Sequence, residues 1–192
     1  ATPPMPHQRD GIAWLESAYR VGLPGVLLAD DMGLGKTYQV LAFLRGVRSR
    51  LDGSGERRPM LVVAPKTLLG EWREQIATHL GGDGLGRVVL AYDSSLTELV
   101  RTARPDPDAP GKRTLDVERL RIADWVLTTY ETLRDYSVSF GRVRFEVAVY
   151  DEAQKLKSLT ALVNNAAKSQ NADFTILMTG THIENSALDL WA

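Results

Sequence analysis

The feature that most constrains this chain is a glycine-containing turn between an apolar run and an amphipathic run. Residues 26–29 are apolar, residues 33–37 read GLGKT, and residues 38–48 repeat apolar side chains at helical spacing. This pattern predicts a strand, a loop that cradles phosphate groups, and a helix. Backbone N–H groups of small residues can curl around an anion, and the helix directs the positive end of its dipole towards that anion.

Two side chains at the end of this loop have the chemistry that phosphate binding needs. Lys36 can reach the β- and γ-phosphates, and Thr37 can supply an oxygen to Mg²⁺. The usual pattern is G-x-x-x-x-G-K-[ST], and Asp30 stands at its first glycine position, so the pattern is incomplete by one residue. The alternative is an ordinary strand–turn–helix corner with a surface lysine.

Composition places the chain among globular proteins and excludes several kinds of site. Of its 192 residues, 44% are hydrophobic and 24% charged, and the net charge is −1. Any contact with nucleic acid is therefore expected to come from a local patch or from a part of the protein outside this sequence. The absence of cysteine excludes disulfides and thiolate metal sites. No apolar run approaches the roughly 20 residues that span a bilayer. We therefore expect a soluble protein without membrane partners, located in the cytoplasm (the bacterial nucleoid) or, in a eukaryote, in the nucleus.

Apolar runs that predict strands alternate with segments of helical periodicity. Strands are expected at 26–29, 60–64, 87–91, 125–128, 145–150 and 175–178, and helices at 9–20, 38–48, 68–80, 114–122 and 159–172. Two segments are expected to be irregular: a polar turn at 52–59 and an exposed insertion at 102–112. The alternation predicts an α/β fold, a three-layer αβα domain with a mainly parallel sheet. Right-handed crossovers then bring the motif loops to the carboxyl edge of that sheet.

Two adjacent carboxylates, Asp151 and Glu152, follow the strand predicted at 145–150. They are expected at the same edge of the sheet as the glycine loop. One carboxylate can hold the Mg²⁺ shell while the next orients and deprotonates water. Acidic residues are common at strand ends, so this pair alone is weak evidence. Its combination with the loop that ends in Lys36 indicates nucleotide hydrolysis.

Six segments, in order, resemble the motifs of the Swi/Snf-type ATPases of helicase superfamily 2. They read PHQ at 6–8 with GIAWL at 11–15, LADDMGLGKT at 28–37, LVVAPKTLL at 61–69 with Trp72, VLTTYE at 126–131, DEAQ at 151–154 with KLK at 155–157, and MTGT at 178–181 with IEN at 183–185 and LW at 190–191. The resemblance implies a RecA-like P-loop NTPase lobe over 25–192, preceded by an adenine-motif segment and helix over 1–24. The resemblance also implies that the family's second lobe is absent from this chain.

The resemblance also implies roles for individual residues. Gln8 reads the adenine edge, Glu152 is the general base, and Lys36 and Asp151 complete the catalytic set. Thr37 and Asp151 hold Mg²⁺. The nucleotide is surrounded by Asp30, Asp31, Met32, Gly33, Leu34, Gly35, Lys36, Thr37 and Gln154.

Two further groups of residues are implied to act beyond the nucleotide. Thr179, Gly180 and Thr181 couple the nucleotide state to the second lobe, and Lys66, Thr67, Thr129 and Tyr130 face the DNA backbone. The alternatives are ordinary structural roles: a glutamine facing water at a helix start, hydroxyls that satisfy strand-end backbone, and surface turn residues. Trp14 and Trp72 are expected in the core rather than as platforms for base stacking.

Three positions depart from the family's pattern. Gln154 stands where many members have histidine, and it can make the same hydrogen bonds but does not titrate. Asp31 stands where glutamate is usual, and His182 replaces a proline.

The implied function is that of an ATP- and Mg²⁺-dependent, double-stranded-DNA-dependent ATPase and translocase that remodels or displaces DNA-bound proteins. DNA contacts are expected on the backbone and without sequence preference. One alternative is an ATP-gated module that binds DNA or a protein such as RNA polymerase with little translocation, and another is the motor subunit of a nuclease or defence complex. The lobe alone is expected to be nearly inactive, since the second lobe supplies an arginine finger worth ~10³–10⁵ in rate.

Overall fold

The computed structural model describes residues 3–31, 33–55, 58–80, 86–101, 113–154, 167 and 170–180. Seven helices are described there: α1 (Pro6–Arg20), α2 (Lys36–Ser54), α3 (Lys66–Leu80), α4 (Asp93–Leu99), α5 (Val117–Arg121), α6 (Tyr130–Asp135) and α7 (Ser137–Gly141). The strands of the same residues are β1 (Gly25–Leu28), β2 (Met60–Val63), β3 (Val88–Ala91), β4 (Val100–Arg101), β5 (Thr114–Leu115), β6 (Trp125–Thr128), β7 (Arg144–Tyr150) and β8 (Asn171–Met178). None of the described helices has the length and hydropathy that crossing a bilayer requires.

Six strands form one sheet in the order β1-β8-β7-β2-β6-β3, and every neighbouring pair is parallel. The expected α/β fold with a mainly parallel sheet is therefore confirmed. The carboxyl ends of all six strands meet at one side, here called the carboxyl edge, and their starts form the amino edge. β4 and β5 form a separate antiparallel pair that local periodicity does not predict.

The sheet separates two apolar cores. Along β2, Met60 and Val62 point into one core, while Leu61 and Val63 point into the other. The first core is closed by α1, α2 and α3, and the second by α5, α6 and α7. Because both faces are covered, β2 is buried along its whole length and reads as a continuous apolar run.

Several sequence-based boundaries were wrong. α2 runs on to Ser54 because Leu51 packs into the first core, so the polar turn expected from residue 52 begins later. β8 begins at Asn171 and pairs with β7 from there, so the helix predicted at 159–172 is wrong at residues 170–172. Residue 167 is helical, and the other positions of that predicted helix lie outside the described residues. Residues 114–115 are strand, and helix α5 starts only at Val117. The insertion at 102–112 lies outside the described residues.

The two tryptophans expected in the core differ. Trp72 is 1% exposed, which confirms the prediction, but Trp14 is 46% exposed, so that prediction was wrong. The buried stripe of α1 is carried by Leu15 and Ala18 with Tyr19 packed beside them, and Trp14 lies outside that stripe. α1 still packs against α2 and shares its core.

Two buried carboxylates lie at the amino edge of the sheet, each matched by a cation. Glu146, 4% exposed, accepts hydrogen bonds from the Tyr19 hydroxyl and from Arg58. Asp124, 3% exposed, pairs with Arg48 and also accepts a 2.6 Å bond from the backbone N–H of Arg87. Both groups tie helices or loops to the starts of strands.

Candidate nucleotide site

The loop after β1 is shaped by glycines with left-handed backbone. Gly33 has φ of 85° and Gly35 has φ of 75°, conformations that are strained for any residue with a side chain. A Cβ at Gly35 would also lie 2.4 Å from Nε2 of Gln8. Gly35 is the N-cap of α2, and no side chain caps its N–H groups among the described residues. The first N–H groups of an α-helix have no partner within the helix, so the start of α2 directs backbone donors towards the carboxyl edge.

Lys36, the first residue of α2, is folded back over this loop. Its Nζ donates to the carbonyl oxygen of Asp30 at 2.5 Å and to that of Asp31 at 2.9 Å. These two neutral acceptors hold the ammonium beside the loop. A phosphate oxygen would be a stronger partner, because hydrogen bonds between ionised groups are shorter and roughly twice as strong.

Helix α1 contacts the same loop through the carbonyl oxygen of Leu34. Nε2 of Gln8 donates to this oxygen at 3.4 Å, and Nε2 of His7 lies 3.3 Å from it. The Gln8 Oε1 accepts from the backbone N–H of Met5 at 3.0 Å. Gln8 therefore lies where the amino-terminal segment meets the phosphate loop.

Gln39 of α2 is a fully buried polar side chain that the sequence analysis missed. Its Nε2 lies 3.4 Å from the Leu34 carbonyl and 3.5 Å from Oδ2 of Asp30, and its Oε1 is buried without a hydrogen-bond partner among the described residues. A Cβ on Gly11 of α1 would lie only 1.9 Å from that oxygen. Gln39 thus fills the space that a glycine leaves between α1 and the loop.

At the end of β7 the carboxylate of Asp151 is held by two donors. The Trp72 indole Nε1 donates to Oδ2 at 2.8 Å, and the backbone N–H of Glu152 donates to Oδ1 at 2.9 Å. Burial raises the pKa of Asp151 above its usual range, while these two bonds and the charge of Lys36 act in the opposite direction. The two hydrogen bonds hold both carboxylate oxygens of Asp151 as acceptors beside the loop.

Glu152 has left-handed backbone, with φ of 54°, which is uncommon for a residue with a side chain. Its carboxylate accepts a hydrogen bond from Nε2 of Gln154, whose Oε1 accepts from the Thr179 hydroxyl at 2.8 Å. The N–H of Ala153 bonds the carbonyl of Met178 at 2.8 Å. The end of β7 is therefore tied to the end of β8 through side chains and backbone.

Comparison with known proteins identifies this arrangement. The model of the SNF2-related domain matches residues 7–192. The chain belongs to the SNF2-related domain family. It is 35% identical to the Zorya protein ZorD of Escherichia coli O139:H28 and 33% identical to the chromatin-remodeling ATPase INO80 of Arabidopsis thaliana, each over 97% of this chain. It covers 18% and 12% of those two proteins.

Solved structures agree with this membership. The SWI2/SNF2 ATPase core of Sulfolobus solfataricus in complex with dsDNA matches 99% of this chain at a TM-score of 0.73 and 28% identity, and this chain covers 34% of it. The resemblance to Swi/Snf-type ATPases is thereby confirmed, as is the RecA-like fold. The SNF2-related domain is the ATPase domain of these proteins, so nucleotide binding and hydrolysis are properties of the family to which the chain belongs.

The SNF2-related domain brings most of the predicted nucleotide residues to one edge of the sheet. Lys36 and Thr37 start α2, and Asp151 and Glu152 follow β7. Met32 and Thr181 lie outside the described residues, as does His182. Gly180 is described and partly buried directly after Thr179.

The four predicted DNA residues fall into two classes. Lys66 and Thr67 are exposed, and Lys66 forms a 2.6 Å ion pair with Asp93. Thr129 is 6% exposed and caps α6, while Tyr130 is 1% exposed and its hydroxyl donates to the Asp151 carbonyl at 2.7 Å. The side chains of Thr129 and Tyr130 are thus committed to internal contacts, so their predicted contact with DNA can concern only backbone groups.

The donor set fits a nucleotide with its Mg²⁺. The loop and the start of α2 offer backbone N–H groups, the Lys36 ammonium and the Thr37 hydroxyl. Each Asp151 oxygen has accepted one hydrogen bond and keeps a further lone pair, as a carboxylate with two bonds does. Hydroxyl and carboxylate oxygens are the ligands that Mg²⁺ prefers.

Proposed function

We propose that this domain is the first motor lobe of a double-stranded-DNA-dependent ATPase that moves along DNA and remodels or displaces bound proteins. The observation that carries this proposal is the hydrogen bonding at the carboxyl edge. Lys36 is held over the glycine loop, its charge acts on the nearby Asp151 carboxylate, and further hydrogen bonds link Asp151 to Glu152 and Glu152 through Gln154 to Thr179. A site of this kind connects the phosphate-binding loop after β1 to Thr179 and Gly180 at the end of β8.

Each residue of the set has a distinct task in hydrolysis. The Lys36 ammonium would leave the carbonyls of Asp30 and Asp31 and neutralise charge that develops on the phosphates. Thr37 and Asp151 would hold Mg²⁺, which supplies charge neutralisation and orients the phosphates when bound. Glu152 would take a proton from the attacking water.

Gln154 and Thr179 would report the state of the nucleotide. Glu152 and Thr179 share Gln154 as a hydrogen-bond partner, so a change at the Glu152 carboxylate alters the contacts of Thr179. Glutamine has both a donor and an acceptor in one group and does not titrate, so this link is independent of pH near neutrality. A second RecA-like lobe would receive the signal through Thr179, Gly180 and Thr181.

DNA would be held by Lys66 and Thr67 at the start of α3. Both are exposed at the carboxyl edge, and an ammonium, a hydroxyl and a helix N-terminus suit phosphate groups without reading bases. In the full-length protein, Lys66→Ala should lower the slope of log affinity against log salt by about 1. Arg73→Ala, which removes an exposed cation from the same helix, is the matched control and should leave that slope unchanged.

The nucleotide part of the proposal is tested by binding of an ATP analogue with Mg²⁺. Lys36→Ala should weaken binding about 10- to 100-fold, since a hydrogen bond to a charged group contributes ~1.5–3 kcal/mol. Arg45→Ala removes an exposed cation from the same helix and should bind as the wild type does. Equal binding by the two variants would contradict the proposed phosphate site.

Translocation is tested by displacement of the third strand from a DNA triplex by the full-length protein with ATP. A motor strips the third strand in proportion to ATP turnover. An ATP-gated module that only binds DNA or a protein partner such as RNA polymerase hydrolyses ATP and leaves the triplex intact. The latter result would retain the nucleotide site and reject the motor.

A further inference from the structure

The indole of Trp72 makes a contact that joins two distant motifs. Trp72 lies on α3, is 1% exposed, and donates from Nε1 to Oδ2 of Asp151 at 2.8 Å. The two residues are 79 positions apart in the chain. An indole N–H donates and cannot accept, so it matches an accepting carboxylate oxygen and discriminates against a carboxyl proton on that oxygen.

This contact fixes the rotation of the Asp151 carboxylate. The torsion that turns a carboxylate about its last carbon–carbon bond has a broad energy profile, so an aspartate does not hold one orientation by itself. Here one donor binds each oxygen: Trp72 at Oδ2 and the Glu152 backbone at Oδ1. The remaining lone pairs therefore point in a defined direction.

The backbone of Asp151 is held by other groups. Its N–H donates to the Val63 carbonyl at 2.9 Å, and its carbonyl accepts from the Tyr130 hydroxyl at 2.7 Å. Loss of the indole N–H would leave both bonds in place. The bond from Trp72 thus sets the orientation of a side chain whose attachment point is already secured.

We propose that Trp72 is a positioning residue that orients the Asp151 carboxylate for the Mg²⁺ of the bound nucleotide. This inference rests on the proposed function. Residues that hydrogen-bond a metal ligand commonly contribute ~10–100-fold to metal affinity or activity. Trp72 therefore affects the part of nucleotide affinity that depends on Mg²⁺ and not the part that depends on the loop and Lys36.

The domain contains a matched control in Trp125. This residue is also fully buried, at the start of β6, but its Nε1 has no hydrogen-bond partner among the described residues. Trp72→Phe and Trp125→Phe remove the same atoms from two buried positions. Any loss caused only by the smaller ring should appear in both variants, whereas loss of a positioning bond should appear only at Trp72.

The experiment uses the full-length protein and a non-hydrolysable fluorescent ATP analogue, titrated with Mg²⁺ and, separately, in EDTA. Trp72→Phe should raise the Mg²⁺ concentration for half-maximal binding about 10- to 100-fold. Its affinity in EDTA should equal that of the wild type. Trp125→Phe should match the wild type in both measurements.

A second substitution protects the test against misfolding. Replacing the indole of Trp72 with benzothiophene keeps the ring size and exchanges only the N–H for sulfur, and the same exchange at Trp125 is its control. An unchanged Mg²⁺ requirement in the Trp72 isostere, or equal losses at both positions, would overturn the inference while leaving the proposed function intact. Wild-type binding that is insensitive to Mg²⁺ would instead overturn the proposed function, and this inference with it.

Discussion

The two edges of the same sheet both carry buried polar groups, but they treat charge differently. At the amino edge each buried carboxylate has a cationic partner: Glu146 has Arg58, and Asp124 has Arg48. At the carboxyl edge, two carboxylates, Asp151 and Glu152, are adjacent, and their closest hydrogen-bond partners are uncharged groups.

This difference in charge pairing indicates that the polar groups of the amino edge stabilise the fold, whereas those of the carboxyl edge are available for a ligand. Charges that are paired and dehydrated lock neighbouring elements together and leave no capacity for a ligand. The carboxyl edge has the opposite properties: an N-terminus of α2 that lacks a hydrogen bond from an N-cap side chain, a left-handed Glu152, and a buried Gln39 oxygen without a hydrogen-bond partner among the described residues. Strained or unsatisfied groups are typical of sites where a ligand completes the interactions. Four substitutions test this division.

The largest effect is expected for Glu152→Gln, which should lower ATP turnover of the full-length protein by ~10²–10⁴-fold because it removes the proposed general base. Binding of the ATP analogue and the midpoint of urea unfolding should stay at wild-type values. Glu74→Gln, at an exposed position of α3, is the control and should change none of the three. Loss of nucleotide binding in Glu152→Gln would mean that this residue supports the site structurally.

At the amino edge, Asp124→Asn should lower the free energy of unfolding by about 3 kcal/mol. Breaking a buried ion pair costs ~3–5 kcal/mol, and Asp52, 3.4 Å from Arg48, retains part of the compensation. Urea denaturation measures the loss, and nucleotide affinity should be unchanged. Asp135→Asn, in an exposed pair with Arg134, should have little effect on either quantity. Weakened nucleotide binding would show that the two edges are coupled.

A smaller, pH-dependent effect is expected at Tyr19. Burial, together with the hydrogen bond and charge of Glu146, raises the pKa of Tyr19 from 10.0 to about 12. The unfolded chain loses this proton near pH 10 while the folded chain keeps it to about pH 12, so the stabilisation is complete below pH 10 and is lost as the pH rises between these values. The free energy of unfolding, measured by urea denaturation at a series of pH values from 8 to 11, should decrease less steeply with pH for Tyr19→Phe than for the wild type. Parallel curves would contradict the shifted pKa.

The smallest effect is expected for Arg144→Ala. Arg144 is 57% exposed and pairs with Asp173, which also pairs with Arg58. Exposed ion pairs contribute about 0–1 kcal/mol. A loss of unfolding free energy above this range would show that the exposed ion pair of Arg144 stabilises the fold as strongly as the buried ion pairs of the amino edge do.

The sheet could be predicted largely because each strand has a local signal. β6 has the bounds that its apolar run predicts, and the start of β8 is the largest error among the strands. The short helices α4, α6 and α7 were missed because five to seven residues are too few to show helical periodicity. β4 and β5 were missed because two residues carry no alternation.

The site could be predicted as a set of residues but not as a set of contacts. The glycine loop and the paired carboxylates have signatures within a few positions. The bond between Trp72 and Asp151 depends instead on β7 lying beside β2, and no local pattern encodes strand order. Gln39 shows the same limit. The sequence shows that this residue is polar, but it does not show that its side chain is buried against Gly11 of α1.

Gly11 determines how near the amino-terminal helix can stand to the glycine loop. A glycine within a helix costs ~0.5–1 kcal/mol relative to alanine, so α1 would form more readily with a methyl group there. That methyl group would overlap Oε1 of the fully buried Gln39, so that either Gln39 must turn or α1 must move, and both changes disturb the contacts that Gln39 and Gln8 make with the Leu34 carbonyl. One missing carbon atom on α1 thereby keeps two glutamine side chains on the same carbonyl oxygen of the glycine loop.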